Sequence, residues 1–220
     1  MNDHSDAHDL LILGLGNPGP EYAGTRHNLG AMCVEELGRR LGVALSRKRW
    51  RSLVGSADVA LAADGESRST RAWLAFPQTY MNESGRAAAA AVRDLALPVS
   101  RVWVVYDELD LPLCRLRIRR DGSDAGHNGL RSVIQHLRTQ DFPRFRVGVG
   151  RPPDPRTDPI DYLLSRFAKA EAPMVEDIIA GVASALEEAL RSGLDRAMET
   201  YNRAGSLGCR QVAPLAEASS

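Results

Sequence analysis

A histidine and an aspartate that could act as a general base and its orienting carboxylate each follow a predicted strand. His27 ends a glycine- and proline-rich stretch, residues 14–28, which comes directly after the apolar run 10–13. Asp107 follows the continuous apolar run 101–106, which is typical of a central parallel strand. Because the carboxyl ends of parallel strands meet at one edge of a sheet, both side chains are expected in the same crevice. A carboxylate that orients a histidine makes it a competent general base near neutral pH.

These residues also have structural interpretations. A lone histidine more often caps a helix or packs in a core, and Asp107 could equally cap a helix or hold a turn. Asn17, Asn82 and Asn128 lie in loops after predicted strands, where each could simply stabilise its own turn. If the three converge, their amides could hold a peptide backbone and a developing oxyanion. With no serine in a GxSxG elbow and no cysteine near a histidine in sequence, an attacking water is favoured over a protein nucleophile.

A row of arginines surrounds a second glycine-rich turn, residues 122–129. Residues 113–120 alternate apolar and basic side chains, which predicts a half-exposed strand with guanidinium groups along one face. This row is either an ordinary solvated strand face or a clamp for phosphates, the groups that position a nucleic acid on a protein. Its members are Arg115, Arg117, Arg119, Arg120, Arg144, Arg146 and Arg151.

The spacing Gly14-x-Gly16-x-x-Gly19 matches the dinucleotide-binding fingerprint literally. That fingerprint requires a helix to begin at once, so that the helix N-terminus holds the pyrophosphate. Here Pro18 and Pro20 intervene, and the predicted helix begins only near residue 29. A nicotinamide-dependent oxidoreductase is therefore kept only as a rival interpretation.

Strands that alternate with helices predict an α/β fold, with a mixed, mostly parallel twisted sheet flanked by helices on both faces. We expect one domain over residues 10–203, a disordered leader over 1–9 and a flexible tail over 204–220. Asn28 is expected to cap the first helix, and Asp64-Gly65 is expected to form a hairpin turn or connection. Strands are predicted at 10–15, 53–61, 71–76, 101–106, 113–120 and 145–150, and helices at 29–41, 86–97, 128–138, 160–167, 172–191 and 194–202.

Composition limits the classes of protein that this chain can belong to. With 44% hydrophobic and 25% charged residues it resembles an ordinary globular protein, and its net charge of zero excludes a uniformly basic protein but not a basic face. No apolar run is long enough for a membrane helix, and the acidic, polar N-terminus is unlike a secretory signal, so a cytoplasmic protein is predicted. Cys33, Cys114 and Cys209 form no CxxC pair and are predicted to be reduced packing residues, with Cys209 exposed in the tail.

Five motifs resemble those of the bacterial-type peptidyl-tRNA hydrolase family. Any one of them is modest evidence, whereas all five in the family's order, within residues 10–203, are highly specific. The motifs are Gly14-Leu15-Gly16-Asn17-Pro18-Gly19, Thr25-Arg26-His27-Asn28-x-Gly30, Pro77-x-Thr79-Tyr80-Met81-Asn82-x-Ser84-Gly85, Asp107-Glu108-x-Asp110-Leu111-Pro112 and Gly126-His127-Asn128-Gly129.

The resemblance implies a monomeric esterase without metal or cofactor. Its substrate would be peptidyl-tRNA released prematurely from ribosomes, bound through the acceptor stem and 3′ end, so that tRNA is recycled. His27 would be the base that acts on water, and Asp107 would orient and polarise it. The other implied substrate-binding residues are Asn17 and Asn82 near the scissile ester, Met81 and Tyr22 in the pocket wall, Asn128 at the water and the tRNA end, and Arg117, Arg119 and Arg146 at a phosphate of the acceptor stem.

The sequence departs from the family pattern at two turns. Cys114 stands where the family usually has a glycine, and residues 120–125 make the turn before Gly126 bulkier and more charged than is usual. A relative that kept the fold to bind RNA or a protein partner while losing catalysis is a further rival. Its mark would be an incomplete set of histidine, aspartate and asparagines, and the set here is complete.

Overall fold

The computed structural model describes residues 9–61 and 69–210. The predicted leader, apart from Asp9, the predicted turn at Asp64-Gly65 and the end of the predicted tail lie outside the described residues. The strands are β1 (Leu10–Gly14), β2 (Arg47–Arg49), β3 (Ser52–Ala60), β4 (Ser69–Pro77), β5 (Val102–Glu108), β6 (Leu116–Arg119) and β7 (Arg144–Gly148). The helices are α1 (Leu29–Arg40), α2 (Ser84–Leu95), α3 (Asn128–Leu137), α4 (Pro159–Leu164), α5 (Ala172–Ser192) and α6 (Leu194–Tyr201).

The seven strands form one sheet in the order β2-β3-β4-β1-β5-β7-β6. The pairings of β1 with β4, β1 with β5 and β5 with β7 are parallel, and the three outer pairings are antiparallel. The predicted mixed α/β sheet is therefore confirmed, although its parallel part is limited to the four inner strands. Their carboxyl ends share one edge of the sheet, where the loops after β1, β4 and β5 meet.

Helices cover both faces of the sheet, as predicted. Alternate residues of a strand point to opposite faces, and β1 is buried throughout. Leu10 and Ile12 accordingly pack in a cluster with α1, α5 and α6, while Leu11 and Leu13 pack in a second cluster with α2 and α3. The described parts of the chain contain no helix that is both long and apolar enough to cross a membrane.

The first glycine of the apparent dinucleotide fingerprint serves the packing of α1 on β1. A Cβ at Gly14 would lie 2.7 Å from the carbonyl oxygen of Gly30 and 2.9 Å from the Cα of Ala31. Such distances are too short for any side chain, so a glycine is required where the helix crosses the strand. Because α1 begins fifteen residues after Gly14, at Leu29, its N-terminus does not follow the glycines directly and the fingerprint's geometry is absent.

Two of the three cysteines differ from the prediction. Cys114 and Cys209 form a disulfide, whereas Cys33 is a free, buried thiol. The prediction that all three are reduced packing residues is therefore wrong for this pair. The error has a physical reason, because the two residues are separated by 95 positions and only the tertiary fold brings them together.

Residues 204–210, assigned from sequence to a flexible tail, lie against α5 in the structure. Leu207 is buried and packs on Gly181, and the Arg210 guanidinium bonds to the Asp177 carboxylate at 2.8 Å. Cys209 between them is partly buried against the core, not exposed. The packed part of the chain thus extends past the predicted boundary at 203.

Candidate active site

His27 and Asp107 are in direct contact at the carboxyl edge of the parallel strands. His27 lies in a single 3-10 turn, Arg26–Asn28, immediately before α1, and Asp107 is the penultimate residue of β5. The Nδ1 atom of His27 is 2.9 Å from Oδ2 and 3.0 Å from Oδ1 of Asp107, and both residues are buried. The structure therefore brings His27 and Asp107 together at one edge of the sheet, as predicted.

A second histidine shares the same carboxylate. His127, the N-cap residue of α3, has its Nε2 atom 3.1 Å from Oδ1 of Asp107, and its ring centroid is 5.0 Å from that of His27. The backbone N–H of Leu130 donates to Nδ1 of His127, so the proton of this neutral ring is on Nε2 and points at Asp107. Sequence reasoning quoted this residue within the motif 126–129 but gave it no role.

The contacts shift the acidities of the pair in opposite directions. Burial alone would raise the pKa of Asp107, but the hydrogen bonds and electrostatic attraction of the two imidazole rings, His27 and His127, outweigh it and hold the pKa well below its usual range. Burial lowers the pKa of His27, but the charge and the hydrogen bond of Asp107 together raise it by more. The resulting pKa is above the ordinary value of 6.5. Asp107 is thus ionised at neutral pH, and with Nδ1 of His27 donating to it, Nε2 is the basic nitrogen of the neutral ring.

The same three residues are the one group in the described chain whose donor atoms lie close enough together to hold a metal, within 4.8 Å of one another. Their hydrogen bonds do not fit that role. A metal would need a lone pair on Nε2 of His127, yet the Leu130 N–H already occupies the lone pair on Nδ1 and leaves the proton on Nε2. The set is suited to hydrogen bonding around a carboxylate.

Asn17 connects the loop after β1 to the loop after β4. Its Oδ1 accepts a 2.7 Å hydrogen bond from the backbone N–H of Met81, and its own backbone N–H and C=O bond to the side chain of Asn28, both at 2.9 Å. The side chain of Asn28 is therefore bonded to Asn17 and makes no hydrogen bond that caps α1. The predicted capping role of this side chain is wrong. Met81 is buried against Gly129 at the start of α3.

A cavity of about 210 Å³ is lined by His27 and Asp107. The end of β5, the turn before α3 and the helix α4 supply most of its other lining residues. Ile160 on α4 is an exposed apolar side chain facing this space. The lining residues are His27, Asp107, Glu108, Leu109, Asp110, Ala125, Gly126, His127, Asn128, Arg151, Pro159, Ile160 and Leu163.

The segment that carries α4 is fixed to the turn that carries His27. The guanidinium of Arg26 donates to the carbonyl of Arg166 at 3.0 Å and pairs with the Glu171 carboxylate at 2.7 Å. It also stacks 4.4 Å from the ring of Tyr162 and 4.6 Å from the ring of Phe167. Sequence reasoning quoted Arg26 within the motif 25–30 but gave it no role, because its partners lie about 140 residues away.

The remaining predicted site residues occupy different positions around this centre. Asn128 lines the cavity and accepts a 3.1 Å hydrogen bond from Arg131. Asn82 is exposed directly after Met81, and Tyr22 is partly buried in the loop after β1, where its carbonyl accepts from Thr25. Neither Asn82 nor Tyr22 belongs to the residues that line the cavity.

Three arginines predicted to hold a phosphate lie on the two neighbouring strands β6 and β7. Arg117 is directly opposite Arg146, and exposed Arg119 is opposite Arg144. Arg146 pairs with Glu108 at 2.9 Å, and Glu108 is itself part of the cavity wall. Arg119 makes no hydrogen bond or ion pair with any residue that the structure describes, so its guanidinium is available to a ligand.

The other arginines of this row are already occupied. Arg144 is fully buried and donates to the backbone carbonyls of Gly122, Ser123, Gln140 and Phe142, so neither a solvated face nor a phosphate clamp describes it. Arg115, Arg120 and Arg151 bond to the carbonyl of Asn202, to Asp195 and to Asp110, respectively.

The fold and the site together define an α/β protein with a buried histidine–aspartate pair suited to general-base catalysis. A family model described as peptidyl-tRNA hydrolase matches residues 11–208. The chain belongs to the peptidyl-tRNA hydrolase family, which confirms the predicted resemblance and the prediction of an ester hydrolase.

Known relatives agree with this membership. The chain is 43% identical over 196 residues to the peptidyl-tRNA hydrolase of Carboxydothermus hydrogenoformans, covering 89% of this chain and 100% of that protein. It is 44% identical over 193 residues to the one from Chloroflexus aggregans, covering 87% and 98%. Among solved structures, the peptidyl-tRNA hydrolase from Acinetobacter baumannii matches with a TM-score of 0.75 at 30% identity, covering 91% of this chain and 97% of that one.

Proposed function

We propose that this protein hydrolyses the ester bond between peptide and tRNA in peptidyl-tRNA, with His27 as the general base on water and Asp107 as its orienting carboxylate. The observation that carries the proposal is the 2.9 Å contact between His27 Nδ1 and a fully buried Asp107. The names of its relatives supply the substrate, and the site supplies a chemistry that fits it.

In the proposed reaction, Nε2 of His27 takes a proton from water as the water oxygen attacks the ester carbonyl. The imidazolium that forms is stabilised by the Asp107 carboxylate, which has no bulk water to screen it. The same proton is then available to the 3′ oxygen of the ribose as that oxygen leaves. His127 holds the other side of the carboxylate through Nε2, which keeps Asp107 aimed at His27.

Amide groups in the loops after β1 and β4 and at the start of α3 are proposed to hold the acyl side of the substrate. Asn17 has its Oδ1 bonded to Met81, so its NH2 group is the part that can donate to a peptide carbonyl or a developing oxyanion. Asn82 and Asn128 are both exposed and complete the proposed set. Met81 and Tyr22 are proposed to shape the neighbouring wall.

The acceptor stem is proposed to lie across β6 and β7. Arg119 is exposed and unoccupied within the described chain, and Arg117 and Arg146 are adjacent across the strand pair, so the three offer a compact positive site for a phosphate. We further propose that the protein acts as a monomer in the cytoplasm, where translation releases its substrate.

The test is release of a labelled N-acetyl-aminoacyl group from its tRNA, measured for wild type and for His27→Ala. Release by the wild type alone supports both the ester hydrolysis and the base. If neither protein releases the label while both retain tRNA on a filter, the chain is a binding module and the catalytic proposal is wrong.

A further inference from the structure

One wall of the catalytic cavity is the loop between β5 and β6, residues 109–115. Leu109 and Asp110 face the cavity directly. Leu109 and Leu113 pack against the core, and the backbone N–H groups of Gly148 and Gly150 donate to the carbonyls of Arg115 and Leu111. Among the described residues, the side chains of 109–114 make a single ion pair, Asp110 with Arg151, and an exposed pair of this kind contributes little.

The far end of the same loop carries the disulfide. Cys114 has a φ of 61°, a left-handed conformation that glycine adopts freely and a side chain opposes. The bond to Cys209 restrains the residue in this conformation. The disulfide thus fixes a backbone conformation in the loop that forms the cavity wall.

The partner cysteine lies on a firmly attached segment. Leu207 is buried on α5, and Arg210 bonds to Asp177 of the same helix. The disulfide therefore couples the cavity wall to α5, on the face of the sheet covered by α1, α5 and α6.

Noncovalent contacts hold the neighbouring strand independently of the disulfide. The Asn202 side chain pairs with the backbone of Ile118 at 2.7 and 3.1 Å, and the Asn202 carbonyl accepts from Arg115. Breaking the disulfide would leave β6 attached, and the added freedom would fall on residues 109–114.

We propose that Cys114 and Cys209 form a redox-active pair, reduced by a dithiol through thiol–disulfide exchange, and that reduction loosens the β5–β6 loop and weakens substrate binding. One thiolate of the reductant attacks a sulfur of the pair and forms a mixed disulfide, releasing the other cysteine as a thiolate. The second thiol of the reductant then displaces the first cysteine. Two electrons pass to the protein, both cysteines end as thiols, and the reductant becomes a disulfide.

The surroundings of the cysteines fit this exchange. Cys114 and Cys209 are both partly exposed, as attack by an external thiol requires, whereas Cys33 is fully buried and takes no part. In a cytoplasmic protein, the location proposed above, a disulfide is more often transient or redox-sensing than structural.

The expected effect is on binding more than on the chemical step. A loosened loop must be ordered again when substrate binds, so the KM should rise about two- to tenfold on reduction. His27, Asp107 and His127 make no contact with the disulfide, so kcat should stay within about twofold. The kinetic readout rests on the proposed hydrolysis; activity in either redox state establishes that function, and only the dependence of KM on redox state tests this inference.

The first measurement is the number of thiols that react with a small alkylating reagent in the native protein, located by peptide mass spectrometry. We expect none after treatment with oxidised glutathione and two, at Cys114 and Cys209, after treatment with a dithiol. A Cys33→Ala variant should give the same counts. Failure of the pair to oxidise, or its reduction only in denaturant, would overturn the proposal.

The second measurement is KM and kcat for an N-acetyl-aminoacyl-tRNA in both redox states. The double variant Cys114→Gly with Cys209→Ser keeps a residue that tolerates the left-handed backbone but has no disulfide. It should show the reduced enzyme's KM in both states. If this variant keeps the KM of the oxidised wild type, or if the KM of wild type is the same in both states, the loop is not controlled by the disulfide.

Discussion

The Nδ1 atom of His27 lies almost equally close to both carboxylate oxygens of Asp107, at 2.9 and 3.0 Å. One of these oxygens also accepts from His127, so the carboxylate is held from two sides and cannot rotate away from the base. A buried anion between two imidazoles needs both hydrogen bonds to offset its desolvation. The same hydrogen bonds that orient His27 therefore also stabilise the buried Asp107 carboxylate.

Replacement of His27 tests the base most directly. His27→Ala should still fold, with a lower free energy of unfolding because Asp107 loses one of its two imidazole partners, and it should lose about 10²- to 10⁴-fold in kcat, the usual contribution of general-base catalysis. The measurement is single-turnover release of an N-acetyl-aminoacyl group, with far-UV circular dichroism as the control for folding. A folded variant with nearly the kcat of the wild type would show that another group activates the water.

The pH profile tests the partnership with Asp107. Because the pKa of His27 is raised above 6.5, kcat/KM should increase with pH through that higher pKa as the ring loses its proton. Asp107→Asn removes the carboxylate that raises the pKa, so the acid limb should move to lower pH while kcat falls. An acid limb at the same pH in wild type and variant would mean that the titrating group is not His27.

The salt dependence of KM distinguishes a residue that binds phosphate from one that acts in the chemical step. Arg119→Ala should raise the KM with little change in kcat, and the increase should be larger at low salt, because salt screens phosphate contacts. Arg146→Ala should act in the same direction but also frees Glu108 from its ion pair. Arg71→Ala is the matched control, since Arg71 pairs with Asp58 nearer the amino end of β4. A change in kcat alone would exclude the clamp.

Asn17 and Asn28 form a matched pair for testing the amide donors. Asn17→Ala removes the acceptor of the Met81 N–H, and Asn28→Ala removes both hydrogen bonds to the Asn17 backbone. Each change should lower the free energy of unfolding by about 1–3 kcal/mol. If the Asn17 amide also binds the substrate, Asn17→Ala should lose about tenfold or more in kcat/KM beyond the loss in Asn28→Ala. Equal losses in the two variants would assign Asn17 a purely structural role.

Much of the fold follows from local patterns in the sequence. The apolar runs at 10–13 and 101–106 predicted β1 and β5, and the shared edge of parallel strands predicted that His27 and Asp107 would meet. Strand β2 was not predicted, because its three exposed basic residues carry no apolar alternation. It exists through antiparallel pairing with β3, which is a tertiary effect.

The parts of the site that sequence reasoning missed depend on contacts between distant residues. His127 reaches Asp107 only because the turn before α3 folds back over the end of β5. Arg144 has the same residue type as its neighbours in the arginine row, yet burial gives it four carbonyl partners. The bond between Cys114 and Cys209 has no local signal at all, since 95 positions separate them.

The hydrogen bonds between Asn17 and Asn28 join the two ends of the loop formed by residues 17–28. Within this segment, the backbone N–H of Tyr22 donates to the carbonyl of Gly19, and that of Thr25 donates to the carbonyl of Tyr22. Glu21 and Ala23 are exposed. The exposed positions Glu21 and Ala23 can therefore be substituted while the base of this loop, and with it the turn that carries His27, stays in register. Ala23 is therefore a position at which an attached fluorophore would report on substrate binding close to His27 in the chain.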